Sequence, residues 1–358
     1  MINSSKMSFS HATLLGLVER YSPSGQEKPA VEWLVARMQA LGYSEAYVDQ
    51  AGNAVGVMGY GSRLVILLGH IDTVPGEIPV RVEENVLFGR GAVDAKGSLA
   101  AFTDAVAQTG IVDGWQFMVI GAVGEEADSD GARFVASRCH PDFTIVGEPS
   151  GWERITLGYK GTASARITLR RGLSHTSRQE QSACEAAFAI WQAISEFATS
   201  FNTGRERIFD QVLPTLRGLE SGEDGFSEWA GLQVGVRLPL DLAPQAWVEK
   251  LREIAVNAEV EPSGFSIPAY QCEKNTPLVR AFLACIREAN GKPGFLLKTG
   301  TADLNIVAPI WGCPAIVYGP GDSALDHTPN EQLPLDEYER AVNVLVGVVH
   351  RISEPSIR

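Results

Sequence analysis

Apolar and polar positions follow two rhythms along the chain. His11–Arg20 and Pro29–Leu41 carry apolar residues at helical spacing; in the second, Val31, Leu34, Val35, Met38 and Leu41 share a face and Gly42 supplies the stop. Ala46–Gly59 reads as a strand pair with Gly52-Asn53 at its turn. Leu64–Leu68 is apolar at every position and includes Val65 and Ile66, the pattern of a buried strand. Ser98–Thr109 then reads as a helix, Trp115–Val123 as a buried strand, Ser129–Ser137 as a helix and Asp142–Val146 as a strand. Strand-helix-strand alternation of this kind predicts a parallel α/β architecture.

The rhythm changes near Gly158-Tyr159-Lys160-Gly161. From Thr162 to Pro268 the pattern is strand (Ala163–Leu169), long helix (Gln181–Ser200), strands at Ile208–Arg217 and Gly231–Leu238, helix (Pro244–Ala255) and strand (Glu259–Ser266). That βαββαβ order suggests a small α+β domain of ferredoxin-like type. Beyond it the first rhythm resumes, with a helix at Thr276–Asn290, a strand at Ala315–Tyr318 and an amphipathic helix at Tyr338–His350. The expected organisation is a discontinuous α/β domain, 1–161 with 269–358, interrupted by an insert, 162–268.

Composition narrows the function. The chain has 358 residues, 45% hydrophobic and 20% charged, which is a globular balance and suits about two domains. No apolar run approaches the roughly 18 residues of a membrane span, and the first residues lack a signal-peptide core, so a soluble cytoplasmic protein is expected. Five scattered cysteines without a C-x-x-C pair argue against a disulfide framework or a thiolate zinc site. A net charge of −13 makes nucleic acid an unsuitable partner.

The chemistry gathers at strand exits. His70 and Asp72 leave the Leu64–Leu68 strand one period-2 step apart, an arrangement that suits a metal ligand oriented by a carboxylate or a solvated ion pair. Asp94, Glu125, Glu126, Glu148 and His327 occupy further strand exits or Gly-rich turns. In an open α/β sheet such residues converge outside the carboxyl ends of the strands. Two imidazoles with several carboxylates form a donor set for Zn²⁺, Co²⁺ or Mn²⁺, and suit a pair of cations better than one.

These residues fall in motifs that resemble the metallopeptidase M20 family of dinuclear zinc deacylases and exopeptidases. The motifs are Gly69-His70-Ile-Asp72-Thr-Val-Pro75, Gly89-Arg-Gly-Ala-Val-Asp94-Ala-Lys-Gly97, Gly124-Glu125-Glu126, Gly147-Glu148-Pro149 and Asp326-His327-Thr-Pro-Asn-Glu331. Val146–Trp152, Leu157–Gly161 and Lys298–Asn305 look most like the acetyl-lysine/acetyl-ornithine deacetylases, which include hydrolases that release lysine or ornithine from an amino-group carrier protein. The resemblance implies a zinc-exopeptidase-like catalytic domain with a mostly parallel sheet, and an insert serving as lid and dimerisation domain. It implies that Asp94 bridges two cations, that His70 and Glu148 complete one site, and that Glu126 and His327 complete the other. Asp72 would orient His70, Glu125 would be the general acid/base, His175 would reach the active site of a partner subunit, and the Asp94-Ala95 peptide would be cis.

Metal suits this task on magnitude. Lowering the pKa of water from about 15.7 to about 7 favours hydroxide by about 12 kcal/mol. A lone carboxylate base supplies about 10²–10⁴-fold, or roughly 3–5 kcal/mol. For the substrate, Arg237 suits an α-carboxylate or a cross-strand ion pair, and Lys298 and Thr301 suit a pocket wall or a plain turn. Arg170, Arg171, Arg178, Arg205 and Arg207 are a conjectural landing patch for an acidic carrier. The expected function is hydrolysis of N-acyl-lysine or N-acyl-ornithine, carrier-linked or free, in lysine or arginine biosynthesis. Other M20 activities, such as succinyl-diaminopimelate desuccinylase or dipeptidase, are alternatives. So is a catalytically dead binding protein, although no ligand or base is missing.

Overall fold

A computed structural model describes residues 11–173 and 180–354, which divide into two compact units. The first comprises the chain as far as Leu157, with Cys272–Leu296 and the segment from Ala302 onward; the second comprises Gly158–Gln271 and Leu297–Thr301. All five cysteines are free thiols. No helix among the described residues is long and apolar enough to cross a membrane.

Four parallel strands organise the first unit: Trp115–Ala122, Arg63–His70, Phe143–Gly147 and Ala315–Val317, side by side in that order. Antiparallel strands extend both flanks, Ala54–Met58 and Glu45–Val48 on one side and Arg154–Tyr159 on the other. Val65, Ile66, Leu67 and Leu68 are fully buried, as strands covered on both faces require.

The helix Lys96–Thr109 is buried along most of its length and packs on this sheet, on Leu335–Ser353 and on Ala12–Val18. A row of glycines permits the close approach: Gly121, Gly69 and Gly147 stand in register across three neighbouring strands. A Cβ on Gly69 would lie 3.2 Å from the Leu99 Cβ, and one on Gly147 2.8 Å from the Phe102 ring. Gly69 and Gly147 each directly precede a candidate ligand, so the helix that follows Asp94 is seated where the strands deliver His70 and Glu148.

A small antiparallel sheet joins Arg81–Glu83, Val86–Phe88 and Gln332–Pro334. Strands of three residues are too short to display a period, and the sequence pattern assigns no element to 76–88. Arg154–Tyr159, Gly294–Lys298 and the helix Leu304–Trp311 are likewise elements beyond the sequence reading.

The second unit has four antiparallel strands in the order Leu213–Glu223, Ser227–Leu238, Gly161–Gly172 and Glu259–Ile267, with helices Ala183–Asn202 and Pro244–Ile254. With a βαββαβ chain order this is a ferredoxin-like sheet. Alternate residues Ala163, Ala165, Ile167 and Leu169 form a core with Ile194, Trp247 and Leu251. Ser182 and Glu185 make a capping box that opens the long helix. The strand expected from Ile208 begins instead at Leu213, after a 3₁₀ turn at Ile208–Asp210. The buried Lys160 ammonium explains the delay: its Nζ donates to the carbonyls of Ile208, Phe209 and Gln211, removing them from any strand ladder.

Candidate metal centre

The first unit brings His70, Asp94, Glu125, Glu126, Glu148 and His327 together. His70 ends its strand, Glu148 directly follows Phe143–Gly147, and Glu125 and Glu126 lie in the turn after Trp115–Ala122. Asp94 precedes the helix Lys96–Thr109, across a cis Asp94–Ala95 peptide bond. His327 follows the 3₁₀ turn Ser323–Leu325 and takes a φ of +61°.

Asp94 stands between the two imidazoles. Its Oδ1 lies 3.2 Å from His70 Nε2 and its Oδ2 lies 3.1 Å from His327 Nε2. Glu126 Oε1 is 3.0 Å from His327 Nε2, and Glu148 Oε1 is 4.0 Å from His70 Nε2. Donor atoms of His70, Asp94 and Glu126 all lie within 4.8 Å of one another, as do those of His70, Glu125 and Glu148. Two donors of one tetrahedral zinc, each about 2.0–2.1 Å from it, stand about 3.3 Å apart. The residues therefore fit divalent cations in donor type and in spacing.

Asp72 is fully buried and organises this cluster through the backbone. Its Oδ1 accepts the Glu125 N–H at 3.1 Å, and its Oδ2 accepts the Glu126 N–H at 3.0 Å and the Ser24 hydroxyl at 2.7 Å. His70 Nδ1 is 3.0 Å from the Asp72 backbone carbonyl and 3.4 Å from Oδ1. An Nδ1 engaged in this way turns Nε2 toward Asp94 and Glu148.

The electrostatics follow from crowding acids around imidazoles. Burial disfavours a charged His70, but hydrogen bonds to Asp72 and Asp94 and the charges of Glu125 and Glu148 outweigh it, raising its pKa well above 6.5. Hydrogen bonds to Asp94 and Glu126 push His327 up to about 10. Burial would raise the Asp94 carboxyl, yet both imidazoles hold it below the usual carboxylate range. Glu125 goes the other way. Loss of water raises its carboxyl most, His70 opposes, and Glu148, Asp303 and Glu126 raise it further, to a net value well above 4.5. A carboxyl displaced upward beside ionised neighbours is the pattern of a proton shuttle.

Arg237, Lys298 and Thr301 all belong to the second unit, where Arg237 and Thr301 are in contact. Arg237 Nη1 donates to Thr301 Oγ1 at 2.6 Å, and Lys298 Nζ lies 5.8 Å from the centre of the Tyr159 ring. Lys298 ends the strand Gly294–Lys298 rather than lying within a turn. His175 and Arg178 lie outside the described residues. The other four arginines of the conjectured landing patch are engaged locally: Arg170 with Asp224, Arg171 with the Gln181 carbonyl, Arg205 with both oxygens of Asp241, and Arg207 with both oxygens of Asp210. They do not present unopposed positive charge.

Three residues at the centre carry no role in the sequence reading. Ser24 fixes Asp72, Asp303 is a buried carboxyl pushed up to about 7 chiefly by burial, and Glu331 contacts the backbone at Asp94. Asp303 and Glu331 lie in motifs quoted above and Ser24 does not, and the parts of all three depend on contacts made across the fold.

The chain is similar to known proteins along most of its length. The chain is 45% identical over 340 residues to a LysW-lysine hydrolase of Deinococcus radiodurans, covering 92% of this chain and 93% of that protein. It is 39% identical over 341 residues to a putative LysW-lysine/LysW-ornithine hydrolase of Thermococcus kodakarensis, covering 94% of this chain and 90% of that protein. Its fold matches an M20 family metallo-carboxypeptidase from Sulfolobus solfataricus with a TM-score of 0.77 at 17% identity, covering 97% of this chain and all of the other. The model of peptidase family M20/M25/M40 matches residues 66–351, and the chain belongs to that family.

Proposed function

We propose that this protein is a dinuclear-metal amidohydrolase that releases lysine or ornithine from an amide link to a carrier protein, as a cytoplasmic step of amino-acid biosynthesis. The observation that carries the metal reading is Asp94, whose two carboxylate oxygens face the Nε2 atoms of His70 and His327 at 3.2 and 3.1 Å. The substrate reading is supported by the activities named for the relatives in Deinococcus and Thermococcus.

In this reading His70 and Glu148 would hold one cation, Glu126 and His327 would hold the other, and Asp94 would serve both. Zinc bound there, or cobalt in its place, would lower the pKa of water to near neutral and polarise an amide carbonyl. Glu125 takes the water proton on its carboxylate and delivers it to the departing amine nitrogen. Asp72 keeps Glu125 and Glu126 in place by accepting both backbone N–H groups. Arg237 receives the substrate carboxylate through its guanidinium fork, with Thr301 orienting it and Lys298 lining the same subsite. His175, contributed by a second copy of the chain, donates to the oxyanion that develops on the carbonyl. The homodimer forms through the second unit, where the helix Ala183–Asn202 exposes Phe188.

The test is a hydrolysis panel on zinc- and cobalt-loaded protein. It compares carrier-linked lysine, carrier-linked ornithine, acetyl-lysine, acetyl-ornithine, succinyl-diaminopimelate and dipeptides. Turnover fastest on a carrier-linked amide, abolished by chelation and restored by metal, is the expected result. Preference for the succinylated substrate or for dipeptides would transfer the protein to another activity of its family. No turnover of any amide by fully metal-loaded protein would favour a binding role.

A further inference from the structure

Glu331 closes the segment that carries His327, and no step above employs it. Its side chain is 1% exposed. Oε1 accepts two consecutive backbone N–H groups, Val93 at 2.9 Å and Asp94 at 3.0 Å. Oε2 accepts Arg90 Nη1 at 2.9 Å. Arg90 is itself buried and held from its other side, where Nε donates to the Gly76 carbonyl at 2.9 Å. The Glu331 carbonyl accepts the Gly89 N–H at 3.3 Å, so one residue grips both ends of the turn 89–94. Directly beyond it, Gln332–Pro334 pairs with Val86–Phe88, which fixes the same two stretches to each other a second time.

A buried carboxylate is costly unless its charge is matched. Here the matching groups are a guanidinium and the two N–H groups that lead into Asp94. The residue thus pinned by its backbone is the one whose side chain faces both imidazoles. His327 approaches Asp94 Oδ2 from a position four residues before Glu331 on the same segment. Glu331 therefore sets the offset between the His327 segment and the Asp94 turn, at one remove from every candidate donor atom.

We propose that Glu331, clamped by Arg90, is a positioning residue of the metal centre: it locks the Asp94 backbone to the segment carrying His327 so that one carboxylate serves two cations. This rests on the dinuclear reading given under Proposed function. The role is distinct from that of Asp72, which fixes Glu125 and Glu126 through their backbone N–H groups. Loss of Glu331 should disturb the shared ligand and weaken both metal equivalents together.

The test uses Glu331→Gln in the full-length protein. An amide can serve the backbone N–H pair or Arg90, but not both donor sets. Metal-stripped wild type and variant are titrated with Co²⁺, followed by visible absorption and calorimetry, and both are melted in chelator. The expected result is a cooperative metal-free fold with both cobalt equivalents weakened by about 10- to 100-fold, the usual loss when a group that orients a metal ligand is removed. Unchanged affinity for two equivalents would overturn the proposal, as would a variant less stable in chelator but normal in metal binding, since that marks a fold staple only. If Glu331→Gln yields no soluble protein, Arg90→Met carries the test. It keeps the N–H acceptor and removes the clamp, so weakened binding of both equivalents supports the proposal and wild-type binding overturns it. Wild-type protein that takes up fewer than two equivalents would instead refute the dinuclear reading, and this inference with it.

Discussion

Replacing Asp72 with Asn tests how the second wall of the centre is built. Both oxygens of Asp72 are committed: Oδ1 to the Glu125 N–H with His70 Nδ1 nearby, Oδ2 to the Glu126 N–H and the Ser24 hydroxyl. An asparagine must present NH₂ on one side. On the Oδ1 side it would face two N–H donors. On the Oδ2 side it faces one, because the Ser24 hydroxyl can rotate and accept. The amide settles with NH₂ toward Ser24, and the Glu126 N–H loses its acceptor. One charge-assisted hydrogen bond, about 1.5–3 kcal/mol, is lost, and a buried N–H left unpaired costs about 1–3 kcal/mol more. Together these are about 2.5–6 kcal/mol against the native turn. If a third to a half of that reaches the Glu126 carboxylate, its cation is held about 4- to 140-fold less tightly, at 1.4 kcal/mol per factor of ten. His70 keeps the backbone carbonyl at 3.0 Å as its Nδ1 partner, so the other cation is largely spared. Cobalt titration of Asp72→Asn should therefore show one equivalent near the wild-type affinity and one weakened. Two equivalents at wild-type affinity, or equal loss of both, would refute the account of Asp72 as the holder of the Glu125–Glu126 turn.

Three further outcomes follow from the same geometry. His327 has its pKa pushed up to about 10 and His70 lies well above 6.5, so at pH 7 both imidazoles carry protons that a cation must displace. Metal affinity should rise with pH and fall on acidification, with net release of protons on metal loading at pH 7; calorimetry in buffers of different ionisation enthalpy measures this, and release near zero would contradict it. Glu125→Gln should lower turnover by about 10²–10⁴-fold while leaving two cobalt equivalents bound, and full activity in that variant would remove Glu125 as the base. Gly147→Ala puts a methyl group 2.8 Å from the Phe102 ring, which should destabilise the metal-free protein by about 1–3 kcal/mol; an unchanged denaturation midpoint would mean the helix yields freely.

Legibility from sequence depended on whether a signal was local. Leu64–Leu68 declares itself because a strand covered on both faces is apolar at every position, and the ligand-type residues mark its exit and those of its neighbours. The ferredoxin-like order is legible because long helices and strands with alternating burial show their periods, as Ala163–Leu169 does. Val86–Phe88 and Gln332–Pro334 are too short for any period. Leu304–Trp311 contains Pro309 and is apolar nearly all round, so neither helical propensity nor an amphipathic face announces it. Ile208–Gln211 reads as the start of a strand because nothing nearby reveals that Lys160, far back in the chain, claims its carbonyls. Glu331 sits in a recognisable motif, yet its acceptors' partners lie 237–241 residues away. Sequence spacing alone gives such a residue no task.

The short strip Leu297–Thr301 has a consequence for anyone treating the second unit as a cassette. Although remote in sequence from Gly158–Gln271, it supplies the Thr301 hydroxyl that Arg237 donates to and the Lys298 carbonyl that accepts the Lys160 N–H at 3.2 Å. A gene fragment ending at Gln271 would leave both behind. Chimaeras between relatives therefore have to exchange two stretches in one move, because a single crossover downstream of Gln271 parts groups that were selected as neighbours.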